Sequence, residues 1–473
     1  MSVALGLVLL PALAALLLAA WPAHAARLNV AASALSLALA LALFAAPPGF
    51  GWLRADALGT PLVLVAAIVG LGTAVYSLGE LRAAPFPPAL HRLHHAAFQG
   101  FMAAVFLALL ADNLGIMWVA IEAATLLCVV MVGIHRTPAA TEAAWKFFIL
   151  CGIGIALALF GIVVLALATA PLVAEGERLS FAAMLVAAPR AEAGLLNLAF
   201  VFLLVGFGTK AGLAPLHSWL PDAHAEGPTP IAAVLSGLLL NAAMLGILRG
   251  KAIVAGNAEA IPPGWYLLGA GVLTLLLAAF SLWRRRDAKR LLGWSSIEHM
   301  GLAAFAFGLG GPAGNMAGLL HLWGHSLLKS AAFFAVGRAA QLRGSQAMAA
   351  ITGLCASHPA LGWGLAGAMA GLAGLPPFAL FASELLMAAA AGRTAPWLLA
   401  VLLPGLLVAG LAILAAMQRL CFGAGDEAGR AGVPAGWPAL APLWANLVLA
   451  ILIALALPAP LTAMLLDAAR MLR

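Results

Sequence analysis

The chain has 473 residues, of which 64% are hydrophobic and only 9% charged, and its mean hydropathy is +1.08. A soluble surface of this extent needs far more charge, so a soluble globular protein is excluded. The net charge of +7 comes from basic residues scattered among short inter-run segments, which speaks against a nucleic-acid partner and for loops that bias membrane orientation.

Apolar runs recur from end to end at about 20 residues, the length of helix that crosses a ~30 Å hydrocarbon core. Nothing alternates in the ~10-residue pattern of a spanning barrel strand. The fold class is therefore all-α, a polytopic membrane protein of about fourteen helices. In chain order the expected spans are 3–22, 28–46, 61–79, 96–111, 114–134, 143–169, 194–224, 229–248, 264–283, 289–310, 314–337, 353–391, 396–420 and 438–465. Ala23-His24-Ala25 looks like a signal-peptidase site. The run before it lacks a basic start and is long for a signal peptide, so retention as the first span is expected. Cys128, Cys151, Cys355 and Cys421 stand far apart with no CxxC pair, which argues against an iron–sulfur or zinc site in this chain. His91, His94 and His95 fall just before the fourth span, where an interfacial loop is expected rather than a metal site.

Segments 7 and 12 are too long for one straight helix, and each carries prolines inside the run: Pro215 and Pro221 in one, Pro376 and Pro377 in the other. Proline removes a backbone donor and clashes with the preceding turn, so both should be broken within the membrane. Broken backbone at membrane depth is tolerated only against protein or water. Two such segments, five helices apart, point to two repeats, each with a discontinuous helix at a transport site.

With the N-terminus outside, the inside loops hold Arg27, Arg82, Arg92, Arg136, Lys146, Arg284, Arg285, Arg286, Lys289, Arg290, Arg338, Arg343, Arg419 and Arg430. The outside holds Arg54, Arg178, Arg190, Arg249, Lys251, Arg393, Arg470 and Arg473. The bias favours both termini on the periplasmic side of an inner membrane. Lys210 and Lys329 remain, and both lie inside spans.

A bare charge at mid-bilayer costs at least ~2.5–3.5 kcal/mol on insertion scales, so the intramembrane charges are the functional candidates. They are Glu122 in segment 5, Lys210 before the break in segment 7, Glu298 with His299 in segment 10, Lys329 with His321 and His325 in segment 11, and Glu384 after the break in segment 12. The spacing His321, His325, Lys329 is i, i+4, i+8, which stacks three protonatable groups on one helix face about 6 Å apart. One or two waters bridge such a gap. Histidine titrates near physiological pH, and a desolvated lysine can exchange protons. Glu122 beside Lys210 would hold the lysine charged, and separation would release its proton. The competing structural readings are an ion pair that glues helices, histidines satisfied by packing, Glu298 and His299 solvated near the surface, and Glu384 capping the helix that restarts after the break.

At these residues the sequence resembles the antiporter-like family shared by complex I, the Mrp sodium/proton antiporters and the energy-converting hydrogenases. The most specific stretch is Phe207-Gly208-Thr209-Lys210-Ala211-Gly212-Leu213-Ala214-Pro215-Leu216-His217-Ser218-Trp219-Leu220-Pro221-Asp222-Ala223-His224. Lys289 to Gly301, the His321/His325/Lys329 run and Gly374-Leu375-Pro376-Pro377-Phe378 support it. The Ser295-Ser296-Ile297-Glu298-His299 form and the short C-terminus look most like the hydrogenase-4 component F branch.

The resemblance implies two inverted five-helix repeats with broken helices 7 and 12. The expected organisation is an N-terminal three-helix segment over 1–95, a first repeat over 96–250, a second over 251–420 and a last helix over 421–473. It also implies that Glu122, Lys210, Lys329 and Glu384 are the family's proton-carrying positions. Relatives often carry Lys or His in helix 8, where this chain has Ser236 and Asn241, so the link from Lys210 to the centre would use His217, these polar groups and water. The implied function is proton translocation in a redox-driven complex, with protons as the ion and sodium as the alternative. The implied partners are other membrane subunits and a peripheral redox arm, in a lipid bilayer. No cofactor is expected in this chain; nickel–iron and iron–sulfur centres or quinone would belong to partner subunits. An Mrp-type antiporter subunit and a module of inorganic-carbon uptake are the alternatives.

Overall fold

A computed structural model describes residues 2–20, 24–46, 49–83, 87–423 and 434–472, with the side chains of residues 50 and 81–83 outside it. The first helices are α1 (Val3–Ala20) and α2 (Ala25–Ala42), followed by a hairpin pairing β1 (Gly49–Phe50) with β2 (Leu53–Arg54). Next come α3 (Gly59–Ala83), α4 (Pro88–Leu110), α5 (Leu114–Val132), α6 (Pro138–Thr169) and the short α7 (Phe181–Ala187). The seventh span is α8 (Ala193–Ala211) with α9 (Trp219–Glu226). The eighth is α10 (Thr229–Val234) and α11 (Leu240–Val254), joined by a π-helical turn over Leu235–Leu239. Then come α12 (Pro263–Ser281), α13 (Ala288–Leu309) and α14 (Gly311–Arg343). After α15 (Leu354–Ser357), the twelfth span is α16 (Pro359–Leu372) with α17 (Ala379–Thr394). The described chain closes with α18 (Leu399–Met417), α19 (Trp437–Leu455) and α20 (Ala459–Met471).

Eleven helices among the described residues are long and apolar enough to cross a membrane by length and composition alone. The three expected spans that miss this criterion are α13, α14 and the α16–α17 pair. They are the spans that carry Glu298, Lys329 and Glu384 or are interrupted by prolines, so the shortfall marks the polar part of the bundle.

Local chemistry starts the helices where the sequence changes character. Asn113 accepts from the N–H groups of Gly115 and Ile116 ahead of α5, Thr137 from Ala140 ahead of α6, and Asp287 from Arg290 ahead of α13. Each satisfies donors that a helix start leaves open. Small residues then bring spans close. A Cβ on Gly206 of α8 would run into the backbone of Ala158 in α6, so these two helices touch backbone to backbone, as small residues allow within membranes. The opposite face of α6 turns Ile149, Ile153, Phe160, Val163 and Leu167 outward. By contrast α14 is enclosed: every residue from Ala317 to Gly337 is buried, and α3, α10, α13, α16, α17, α19 and α20 all pack against it. A helix covered on all sides is the core of its bundle.

Both broken spans close in the same way. Gly212 and Gly374 follow α8 and α16 with φ of +79° and +71°. The N–H of Leu213 bonds Gly208 O at 2.8 Å and that of Gly212 bonds Thr209 O at 3.3 Å; Leu375 bonds Ala370 O and Gly374 bonds Gly371 O, both at 3.1 Å. This is the Schellman arrangement, which needs a left-handed residue that glycine adopts without a Cβ penalty. Gly212-Leu213-Ala214-Pro215 and Gly374-Leu375-Pro376-Pro377 are thus one motif used twice, each with a cis bond before its last proline.

Several sequence boundaries move. The fourth span begins at Pro88, with proline at the helix start, so His91, His94 and His95 are helical rather than in a loop. His94 and His95 are buried, and His95 Nδ1 lies 3.2 Å from Asn29 Nδ2. The eighth span runs to Val254 rather than 248. Arg249 and Lys251, expected in an outside loop, are therefore inside the bundle. Arg249 pairs with Asp56 at 2.8 Å and donates to Ala111 O, while Lys251 donates to Asn315 Oδ1 at 2.8 Å. The fourteenth span splits, with α19 ending at Leu455 and α20 restarting at Ala459 beyond Pro458. Ala23, the side chain of Arg82, and Arg430 and Arg473 lie outside the described residues.

Gly206→Ala tests the α6–α8 contact. Overpacking of this kind costs about 1–3 kcal/mol, so the thermal midpoint in detergent should fall; an unchanged midpoint would show that the helices part without cost.

Candidate functional site

The intramembrane charges sort into two groups. The first joins α5 to α8. Lys210 Nζ donates to Glu122 Oε2 at 2.7 Å and to Thr125 Oγ1 at 2.6 Å. The lysine side chain is fully buried, whereas Glu122 keeps 20% of its surface. Lys210 sits in the last turn of α8, just before the Gly212 closure, where the negative end of the helix favours a cation. The carbonyl of Thr209, which accepts the Gly212 N–H in the closure, also accepts from Trp219 Nε1 at 2.9 Å. The break therefore positions the ammonium and is itself satisfied.

The second group is central. His321, His325 and Lys329 project from α14 and are all fully buried, as the i, i+4, i+8 stripe requires. The α13 helix supplies Glu298 and His299 to the same place. The His299 ring centroid lies 5.2 Å from that of His321 and 5.5 Å from that of His325, so it fills the step between them. Glu298 Oε2 and His299 Nε2 are 3.4 Å apart. Lys329 Nζ donates to Leu292 O at 2.9 Å, about two turns before His299 on α13. On the far side His321 Nδ1 meets Ser383 Oγ of α17 at 2.9 Å. The neighbouring Glu384 is buried, and its carboxylate folds over Gly374, where a Cβ would strike Oε2. Glu298 and His299 are thus deep in the protein, not solvated at its surface. Glu384 lies in the second turn of α17 and does not act as its N-cap, which is Phe378.

Ser236 and Asn241 connect the eighth span to this centre. Ser236 Oγ meets Ser296 Oγ at 2.8 Å, and Asn241 Nδ2 donates to Ser326 Oγ at 2.8 Å. The π-turn at Leu235–Leu239 carries Ser236, and such turns often accompany function. Among the described residues no hydrogen bond joins Lys210 to Ser236 or Asn241. His217 is buried edge-on against Trp294, 5.5 Å between centroids. That places it beside the start of α13 and among none of these groups. Pro215, Pro376 and Pro377 lie in the two breaks.

Many nitrogens and oxygens of the central group make no hydrogen bond within the protein: both ring nitrogens of His325, His299 Nδ1, His321 Nε2 and Glu384 Oε1, while Glu298 Oε2 and His299 Nε2 have only their mutual 3.4 Å approach. Buried polar atoms in proteins are normally paired, with ordered water as the usual partner where side chains do not suffice. A dry structural core would not concentrate them on one line.

Three further groups near the centre escape sequence reading. His224 of α9 is fully buried and stacks on Phe333 of α14 at 5.1 Å, one turn from Lys329. Lys289 is buried and donates to Gly227 O at 3.1 Å. Glu80 of α3 accepts from the Thr229 N–H at 3.1 Å. His224 closes the quoted motif, which was the available signal; Lys289 was expected among the inside-loop residues, and Glu80 stands one residue past the expected third span, 61–79.

Fold and site together define a multi-pass, antiporter-like membrane subunit. Residues 111–410 match the transmembrane family described as NADH:quinone oxidoreductase/Mrp antiporter, and the chain belongs to that family. It is 45% identical over 382 residues to the hydrogenase-4 component F homolog of Methylacidiphilum infernorum, covering 80% of each chain. It is also 32% identical over 279 residues to NADH-quinone oxidoreductase subunit N of Deinococcus radiodurans, covering 58% of this chain and 55% of that one. Among solved structures, a chain of an archaeal membrane-bound sulfane sulfur reductase superposes with a TM-score of 0.88 at 22% identity, covering 100% and 98%. A chain of the Mrp complex from Dietzia sp. gives 0.82 at 20% identity, covering 100% and 97%. These last two likenesses show the fold.

The unequal burial of the first pair sets an expected order of costs. Glu122→Leu leaves a fully buried ammonium uncompensated, a loss of about 3–5 kcal/mol. Lys210→Met leaves a carboxylate that still reaches the surface, and should cost less. The double variant should recover part of the loss in thermal denaturation. Additive losses would mean that the two groups do not interact.

Proposed function

We propose that this chain is the proton-translocating subunit of a redox-driven membrane complex of hydrogenase-4 or formate hydrogenlyase type. Protons pass along Glu122, Lys210, the Ser236/Asn241 link, Lys329, His325, His321, His299, Glu298 and Glu384. The observation that carries this reading is the convergence of six ionisable side chains from α13, α14 and α17 on one buried line. All are turned away from lipid, and many of their polar atoms have no protein partner. Isolated charges are too costly in hydrocarbon to be idle, and a histidine–lysine line suits proton exchange. His217 joins the route at the α13 end, beside Trp294.

The duplicated Gly-Leu-X-Pro breaks support two repeats, 96–250 and 251–420, flanked by the segments 1–95 and 421–473. The chain then acts without a cofactor of its own. A peripheral arm with nickel–iron and iron–sulfur centres, or a quinone site in a neighbouring subunit, supplies the driving reaction. The outward apolar face of α6 is available to lipid or to other membrane subunits. With Arg249 and Lys251 removed from the outside loops, the surviving basic bias supports periplasmic termini in a bacterial inner membrane more firmly. The fold shared with the Mrp complex favours a second reading, a cation/proton antiporter. Sodium sites are built from carboxylate and carbonyl oxygens, and the Lys/His content of the line favours protons over it.

Lys210→Ala and Glu122→Gln, in the complex purified with this chain and reconstituted in vesicles, should each cut redox-linked proton transport while assembly persists. Lys329→Ala should abolish transfer between the two halves. Unchanged transport in all three would refute the pathway.

A further inference from the structure

The line described above has no evident loading point on the face where α13 begins, and the structure offers one. The turn Gly227–Thr229 between α9 and α10 is held from two sides. Lys289 Nζ donates to Gly227 O at 3.1 Å, and Glu80 Oε1 accepts from the Thr229 N–H at 3.1 Å. The first open donor of α10 is thus capped by a carboxylate from α3, in the N-terminal segment outside both repeats. Capping uses one carboxylate oxygen. The other, Oε2, is buried without a protein partner.

Lys289 stands just below the surface. The next residue, Arg290, is partly exposed and pairs with Asp222 at 3.2 Å and Glu226 at 3.3 Å. One turn inward on α13, Leu292 O holds Lys329 Nζ. Beside it Gly293 lies directly against α9, where an added Cβ would come within 3.5 Å of His224 Cβ. His224 bonds Leu220 O through Nδ1 at 2.7 Å, which assigns the proton to Nδ1 and leaves Nε2 as a buried acceptor with no partner. Tyr76, one turn before Glu80, stacks on Phe334 at 4.8 Å with its hydroxyl unpaired. Arg338 of α14 spends its guanidinium on Ala435 O, Pro434 O and Gln341 Oε1. Glu80 and Lys289 therefore grip one turn, and a single helical turn, about 5–6 Å, separates Lys289 from the place where Lys329 is anchored.

We propose that Glu80 is the proton-loading carboxylate for the central lysine, with Lys289 and His224 as the stations between them. This rests on the proton-translocation reading above. A proton taken up by the Glu80 carboxylate passes to the neutral amine of Lys289, restoring the carboxylate. It then moves to His224 Nε2, and from Nε2 to the neutral amine of Lys329. Each step breaks one O–H or N–H bond and forms another, and no other reactant is needed.

Glu80→Gln keeps an oxygen to cap Thr229 but cannot carry a proton, whereas Glu80→Asp can. Positioned proton-transfer groups contribute about a hundredfold or more, so Glu80→Gln should slow vesicle proton transport by about tenfold or more, with Glu80→Asp recovering most of it. Lys329→Ala is measured in the same preparation. Slow Glu80→Gln with a rescued Glu80→Asp supports the port. Parent-like Glu80→Gln beside an impaired Lys329→Ala overturns the port alone. Parent-like rates in both overturn the port together with the function it rests on. Equal impairment of Gln and Asp would make Glu80 a cap only and also overturns it. Should Glu80→Gln fail to assemble, Lys289→Met reads the same route: slow transport supports it and parent-like transport rejects it.

Discussion

Desolvation governs this molecule. A chain with 9% charged residues places several of them where water does not reach, and each must find its compensation on another segment. Lys210 finds Glu122 and Thr125, Arg249 finds Asp56, Lys329 finds a backbone carbonyl, and Lys251 finds Asn315. These contacts join segments far apart in the chain. The polar groups therefore fix which helices are neighbours, while the apolar surface fixes only that they are in the membrane.

The two breaks serve the same constraint. Interrupting a helix exposes carbonyls and N–H groups that hydrocarbon cannot satisfy. Here the Schellman closures, Trp219 and Thr274 satisfy them; Thr274 Oγ1 accepts the Ala214 N–H at 3.0 Å. Ionisable groups then gather at the breaks: Lys210 precedes one, and Glu384 leans over the glycine of the other. The freed backbone and the charge it positions are parts of one local solution.

Much of this was legible in the sequence, for reasons that differ by feature. The spans follow from run length, the breaks from prolines inside overlong runs, and the α14 stripe from a four-residue spacing that survives because that helix is unbroken. Glu122 and Lys210 stood out through scarcity of charge. What escaped lay at helix ends. Arg249, Lys251, His94 and Lys289 are polar residues bordering apolar runs, and a hydropathy boundary assigns such residues to water. The helices continue past those boundaries, because buried partners such as Asp56 and Asn315 come from segments that no local pattern connects to them. His217 shows the same from another side: its motif is plain in the sequence, but the packing of its buried ring against Trp294 of α13 is not.

The unbroken length of α14 has a consequence of its own. Across 33 residues its hydrogen-bond ladder has no interruption, so His321, His325 and Lys329 hold a constant angular phase and cannot be rotated singly. The spans broken at Gly212 and Gly374 lack that continuity, so their two halves do not share one angular phase. The bundle thus sets one continuous helix, which holds its side chains in register along its whole length, alongside two interrupted spans that do not.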